Sequence, residues 1–199
     1  MIVCIEGCIG VGKTTLTKML TEAFGGQSIF EEFENNPFLK DFYNTPDVFG
    51  FHVQSTFLCL QSKQFLKAGA LAKTGNVFVD FHPVKSKIFS DIIVKDKTAY
   101  TIIHQIYGHL FETIEPEILI IYLHATPAVI MKRIKQRADE FTTGISLKYI
   151  EEVVDHYDAY FKKYKHPLIS IDTSAMDFEN NNADWLKIKE KVKSCMNKK

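Results

Sequence analysis

The sequence carries no surplus of either charge: 24 Lys and Arg balance 24 Asp and Glu, for a formal net charge of zero. A general nucleic-acid binder, or a protein held on anionic lipid, draws its affinity from excess cations, so neither class fits. A local basic pocket for a small phosphate remains compatible. No apolar run approaches the roughly 18 residues that a membrane span requires. No charged stretch followed by a long apolar one opens the chain, as it would in a secretory signal. The four cysteines, Cys4, Cys8, Cys59 and Cys195, include no Cys-x-x-Cys pair. That spacing speaks against a structural zinc site and a disulfide framework, and a reducing cytoplasm is the expected compartment. Internal repeats and low-complexity linkers are also missing, and 199 residues suit one domain.

What is present is an ordinary globular composition, 46% hydrophobic and 24% charged, arranged in an alternation. Short apolar runs of strand length recur at Ile2 to Glu6, Ser28 to Glu32, Asn76 to Asp80, Ile118 to Leu123 and Leu168 to Asp172. Most are rich in Ile, Val and Phe on both faces, as parallel strands between helix layers are. Between them, apolar residues recur at spacings of three and four. Leu16, Met19, Leu20, Ala23 and Phe24 predict one helix, stopped by Gly25-Gly26. Leu147 to Tyr164 predicts another, opened by Ser146 as N-cap and ended before Pro167. A long helix is expected from about Asp47 to Lys73, and two more over Val84 to Ile114 with a break near Lys95-Asp96-Lys97. Asn180-Asn181-Asn182 reads as a loop and Lys198-Lys199 as a fraying tail. The expected fold class is α/β: a three-layer sandwich with a five-stranded parallel sheet and helices on both faces.

Gly7-Cys8-Ile9-Gly10-Val11-Gly12-Lys13-Thr14 matches G-x-x-x-x-G-K-[ST], with Thr15 following, and has the required strand before it and helix after it. Gly7, Gly10 and Gly12 let backbone N–H groups, Val11 among them, converge on phosphate oxygens, where the helix N-terminus adds positive potential. Lys13 can reach the β- and γ-phosphates and the Thr14 hydroxyl can ligate Mg²⁺. Cys8 is a small residue that fits the loop. The motif establishes a nucleoside triphosphate as ligand, with Mg²⁺-ATP the expected form. It does not say what is done with it. No Asn-Lys-x-Asp is present for reading guanine in the manner of a GTPase.

With Ile5-Glu6-Gly7 and this loop, Glu31-Glu32-Phe33-Glu34-Asn35-Asn36-Pro37, Tyr43 with Gln54, the strand ending at Asp80, and Asp177-Phe178, the chain resembles the deoxyribonucleoside kinases along nearly its whole length. The branch it looks most like is that of the bacterial deoxyguanosine and deoxyadenosine kinases. The resemblance implies transfer of the γ-phosphoryl group of ATP to a deoxyribonucleoside 5′-hydroxyl, in nucleotide salvage, by a homodimer paired through long helices such as 47–73 and 98–114. It puts the base that deprotonates the hydroxyl on Glu31, with Glu32 and Glu34 as rivals. It puts the sugar 3′-hydroxyl on Tyr43 and the nucleobase on Gln54, eleven positions later. A Gln amide offers a donor beside an acceptor, which suits adenine, cytosine and, flipped, guanine. Phe57, one turn on, can cover the ring. Asp80 stands where an acid assists Mg²⁺. In the family an Arg usually follows it. Here Phe81-His82 follow, as in the deoxyguanosine kinase branch, and His82 is either a substrate contact or a core histidine.

Residues 131–146 resemble the lid over the phosphates. Arg133 and Arg137 lie four apart, on one helix face, and are expected to point into one phosphate site. The family's second lid arginine falls at Asp139 and its sugar-binding Glu at Thr142, with Glu140 as a stand-in. Phe178 lies in the segment that resembles the loop wrapping the ATP adenine. Two other functions remain open at this level. A nucleoside monophosphate kinase, of the thymidylate kinase type, needs an arginine for the acceptor phosphate, and Phe81 stands against it. A nucleotide-binding regulatory module is favoured by Asp139 and Thr142 and opposed by Lys13, Glu31 and Asp80.

Overall fold

A computed structural model describes residues 1–111, 118–137, 142 and 144–197. The chain runs β1 (Ile2–Glu6), α1 (Lys13–Phe24), β2 (Gln27–Ile29), α2 (Leu39–Asn44), α3 (Pro46–Leu71), β3 (Val77–Val79) and α4 (Val84–Ile93). It continues through α5 (Lys97–Phe111), β4 (Ile118–His124), α6 (Pro127–Arg137), α7 (Leu147–Lys162), β5 (Leu168–Asp172) and α8 (Asn182–Met196). A single 3-10 turn, Phe33–Asn35, lies between β2 and α2.

The strands form one parallel sheet in the order β2-β3-β1-β4-β5. Successive side chains of a strand point to opposite faces. Val3, Cys4 and Ile5 in β1, and Leu119 to Leu123 in β4, are nevertheless buried without interruption, so helices cover both faces, as the apolar runs predict. Leu16 and Leu20 of α1 are fully buried in the core, each contributing about 1.5–3 kcal/mol by its removal from water. Chain order reverses beside β1, and the carboxyl end of that strand is where an open parallel sheet places a ligand crevice.

The expected boundaries hold for β1, for the break between α4 and α5, and for the start of α7. There the Ser146 side chain accepts the Tyr149 N–H at 3.1 Å. Three elements differ. The second strand is shorter than Ser28 to Glu32 and ends at Ile29, because side chains take over its next backbone groups. Gln64 Nε2 donates to the Phe30 carbonyl at 2.5 Å, and the Glu31 N–H donates to Asp80 Oδ1 at 2.7 Å. Those bonds replace a sheet ladder and leave Phe30 and Glu31 beyond the sheet edge. The asparagine run is a helix start rather than a plain loop: Asn181 Oδ1 accepts the N–H groups of Ala183 and Asp184 and opens α8. The short α2 is an element that periodicity does not announce, since six residues make too few turns to show a period. Lys198 and Lys199 lie outside the described residues.

Candidate active site

The loop between β1 and α1 bends over the end of the sheet. Gly7 has φ +150°, and a Cβ there would stand 2.1 Å from the Leu123 carbonyl oxygen of β4, so no other residue fits without a shift of the sheet. Gly12, at φ +106°, opens α1, and a Cβ on it would meet the Phe178 ring at 2.9 Å. Lys13 folds back on the loop, donating to the carbonyls of Gly7 at 2.8 Å and Cys8 at 3.1 Å. Burial, and after it the charge of Lys85, pull its ammonium below the ordinary lysine range, against the pull of Glu6 and Glu31. Cys8 is buried, and its thiol is pushed up to about 12, so it stays protonated and serves as filler in the loop.

A cavity of about 240 Å³ opens beside the loop. Its polar lining is Lys13, Thr14, Glu31, Tyr43, Gln54, Gln61, Asp80, Lys85, Ser86, Arg137 and Thr142. Its apolar lining includes Phe33, Phe42, Val53, Phe57, Phe89, Ile93 and Tyr149. Of the residues expected from the sequence, Gly10, Lys13, Thr14, Glu31, Tyr43, Gln54, Phe57, Asp80 and Arg137 therefore face one space. Gln54 is only 3% exposed, so its amide is held inside the cavity wall and not on a helix surface. Glu32 and Glu34 are exposed and do not line the cavity, and Glu32 accepts from Asn35 Nδ2 at 3.0 Å. Only Glu31 of the three acids is placed to meet a ligand there.

Asp80 is the hub on the β3 side. Its Oδ2 accepts the Thr14 hydroxyl at 2.9 Å and its Oδ1 the Glu31 N–H at 2.7 Å. Burial raises its carboxyl, and those two donors partly offset the rise. Glu31 itself is held from both sides. Gln61 Nε2 donates to its Oε1 at 3.1 Å, Ser86 fixes Gln61 through a 2.9 Å bond to Oε1 of that amide, and the Lys85 ammonium pairs with Glu31 Oε2. Burial alone would push the Glu31 carboxyl up. The charge and hydrogen bond of Lys85, then Lys13 and Gln61, outweigh it and hold the group below the usual carboxylate range.

Under this site lies a fully buried carboxylate. Glu6 Oε1 accepts the Gly7 N–H at 2.8 Å and the Tyr157 hydroxyl at 3.0 Å, and Oε2 accepts the His82 N–H at 2.6 Å. Burial raises its carboxyl, with Lys13 and Lys85 pulling the other way.

Several expectations need correction. Arg133 and Arg137 do not converge. Arg137 lines the cavity, whereas the Arg133 guanidinium is spent on the Thr173 carbonyl at 2.7 Å, the Thr173 hydroxyl at 3.0 Å, and the carbonyls of Met176 and Val11 at 3.2 and 3.4 Å. A rigid fork of donors on a helix beside a loop full of carbonyls satisfies them, and so ties the phosphate loop to residues 173–176. Phe178, expected near the ATP adenine, is buried against Gly12 at the start of α1, outside the acceptor cavity. His82 is not part of this cavity's lining, which removes the direct substrate contact; it is half-buried and lines a separate cavity beside Phe65 and Phe111. Its Nδ1 accepts the Val84 N–H at 3.1 Å, its ring meets Phe65 edge-on at 6.0 Å, and what burial it has lowers the imidazole. Val11 and Thr15, expected at the ATP phosphates, are not among the residues lining this cavity. Glu140 and Asp139 lie outside the described residues.

Lys85, Gln61 and Glu6 are the residues that sequence reasoning passes over. Two signals were available. Gln61 follows Gln54 by seven, two helical turns, so both amides share the buried face of α3. Lys85 stands in the first turn of α4, where a cation meets the positive end of the helix dipole and is disfavoured unless something else holds it.

Phosphate loop, acid, helix N-terminus and an apolar recess on a parallel sheet together define a P-loop phosphotransferase acting on a small acceptor. The family model for deoxynucleoside kinases matches residues 3–197, and the chain belongs to that family. It is 30% identical to the deoxyguanosine kinase of Bacillus subtilis (strain 168), over 98% of this chain and 97% of that one. It is 27% identical to the deoxyadenosine/deoxycytidine kinase of the same organism, over 98% and 93%. The solved structure of a deoxyadenosine kinase from M. mycoides with bound dCTP shares the fold, with a TM-score of 0.81 at 22% identity, covering 98% of this chain and 100% of that one.

Proposed function

We propose that this protein transfers the γ-phosphoryl group of ATP to the 5′-hydroxyl of a deoxyribonucleoside, a purine one by preference, as a step of nucleotide salvage. The observation that carries the reading is the meeting of Lys13, Thr14 and Glu31 in one cavity with an apolar recess holding the Gln54 amide. The purine preference draws on the deoxyguanosine kinase likeness and on the Phe81-His82 pair.

In this reading the acceptor base lies between Phe57 and the other apolar walls with its edge on Gln54, and its sugar reaches Tyr43. The loop amides and the N-terminus of α1 take the phosphates, and Lys13 leaves the Gly7 and Cys8 carbonyls for the β- and γ-oxygens. Arg137 adds charge from α6. Glu31 is within the cavity and ionised, so it can accept the hydroxyl proton as the bond to phosphorus forms. Thr14 Oγ1 and Asp80 Oδ2, 2.9 Å apart, are hard oxygen donors suited to Mg²⁺ shared with phosphate. When bound, that ion would neutralise charge on the transferred group.

Incubation with γ-labelled ATP and each of the four deoxynucleosides or their monophosphates tests the proposal. Label should appear on deoxyguanosine or deoxyadenosine at the 5′ position. Transfer to monophosphates alone would mean a monophosphate kinase, and label on no acceptor would mean a regulatory module.

Pairing into a homodimer is proposed through α3 and α5, which pack on each other and leave Leu66 74% and Ile102 39% exposed. Sedimentation should give twice the 22.8 kDa of one chain, and a single-chain mass at micromolar concentration would refute pairing. No helix among the described residues is long and apolar enough to cross a membrane. A cytoplasmic location is proposed on that basis and on the four free thiols.

A further inference from the structure

Glu31 stands on a backbone that has left the sheet, so its carboxylate needs holding by something other than its own strand. Both of its oxygens are gripped from α4. Lys85 pairs with Oε2 directly, and the neighbouring Ser86 reaches Oε1 through Gln61. The Lys85 and Glu31 side chains are 17% and 10% exposed, so water screens the pair only partly. The Lys85 ammonium also lies over the rings of Phe57 at 5.9 Å and Phe89 at 5.8 Å, two walls of the same cavity. Those rings attract the cation and exclude water from it. A lysine in a helix's first turn gains nothing from the helix itself, and its position is explained by what it holds.

We propose that Lys85 is the positioning residue of phosphoryl transfer, its ammonium fixing the Glu31 carboxylate against the cavity wall. This rests on the reading of Glu31 as the base.

Without Lys85 the Glu31 side chain keeps the Gln61 bond to Oε1 while Oε2 loses its partner. The carboxylate can then turn away from the acceptor hydroxyl, and a misplacement of about 1 Å can cost on the order of 10²-fold in rate.

The test is single-turnover transfer from ATP to deoxyguanosine, beside direct titrations of both substrates. Lys85→Met should slow transfer by about 10–10²-fold while both affinities change by less than about threefold, and Lys85→Arg should recover most of the rate. In a Glu31→Gln background Lys85→Met should cost nothing further, because the two act as a unit. Transfer within about threefold of wild type, a loss that falls on binding alone, or a full additive loss in the Glu31→Gln background overturns the proposal while leaving Glu31 as base. Glu31→Gln turning over at near the wild-type rate would remove the base reading itself. Should Lys85→Met not fold, Lys85→Gln takes its place in the same comparison.

Discussion

Glu31→Gln is expected to lower kcat by about 10²–10⁴-fold, the range usual for loss of a general base, while ATP affinity changes by less than about threefold. The amide has the same shape as the carboxylate and can keep its bond to Gln61, so the cavity wall survives the change. What disappears is the ability to take a proton and the counter-charge for Lys85. Glu6 and Asp80 still raise the affinity of Lys85 for its proton, so the cation is not left alone. Single-turnover transfer from labelled ATP measures the chemical step, and a direct ATP titration of the same variant shows that the phosphate loop is intact. If kcat stayed within tenfold of wild type, the proton would have to leave by another route. Glu32 and Glu34 offer none while they stay exposed and outside the cavity.

Gly7→Ala should destabilise the protein by at least about 3 kcal/mol through backbone strain and collision together. The new Cβ would stand 2.1 Å from the Leu123 carbonyl oxygen, and the φ of +150° is one that side-chain-bearing residues rarely adopt. Neither partner can retreat. Leu123 belongs to β4, which pairs with β1 up to Glu6↔Tyr122 and with β5 at Leu123↔Ile171, so the strand that carries the carbonyl is held from both sides. A urea unfolding midpoint, or failure to purify folded protein, would show the loss. Gly69→Ala is the matched control. That residue lies in α3 with nothing within 4 Å of its Cβ position, and alanine there should stabilise by up to about 1 kcal/mol. Equal effects at the two positions would refute the steric account of Gly7.

The parts of the fold that were legible in advance are those in which local pattern and tertiary role agree. Buried parallel strands must be apolar on both faces, and β1 and β4 announced themselves in that way. The phosphate loop was legible because its chemistry requires adjacent residues. The acceptor site is assembled from α2, α3, α4, α6 and the ends of two strands, and only a family likeness could bring Tyr43, Gln54 and Asp80 together before the structure did. The losses have one physical origin. The end of β2, the commitment of Arg133 and the grip on Glu31 are all settled by side chains meeting backbone groups or charges more than 25 residues away. No window along the chain contains both partners. Arg133 shows the point most sharply: its spacing from Arg137 is right for a shared face, yet the carbonyls at Thr173 and Met176 claim it first.

Glu6 joins three distant stretches of chain through a single anchor. The turn into the phosphate loop, the turn after β3 and the helix α7 each give it one donor. Pulling any of them away would strand a polar group in the dry interior, at about 1–3 kcal/mol. The base of the cleft is thereby immobilised as one piece, and accommodation of nucleotide falls to the long side chains above it. Lys13 and Arg137 reach over a foundation that stays put, so in the proposed reaction the distance from attacking hydroxyl to phosphorus is set by the scaffold.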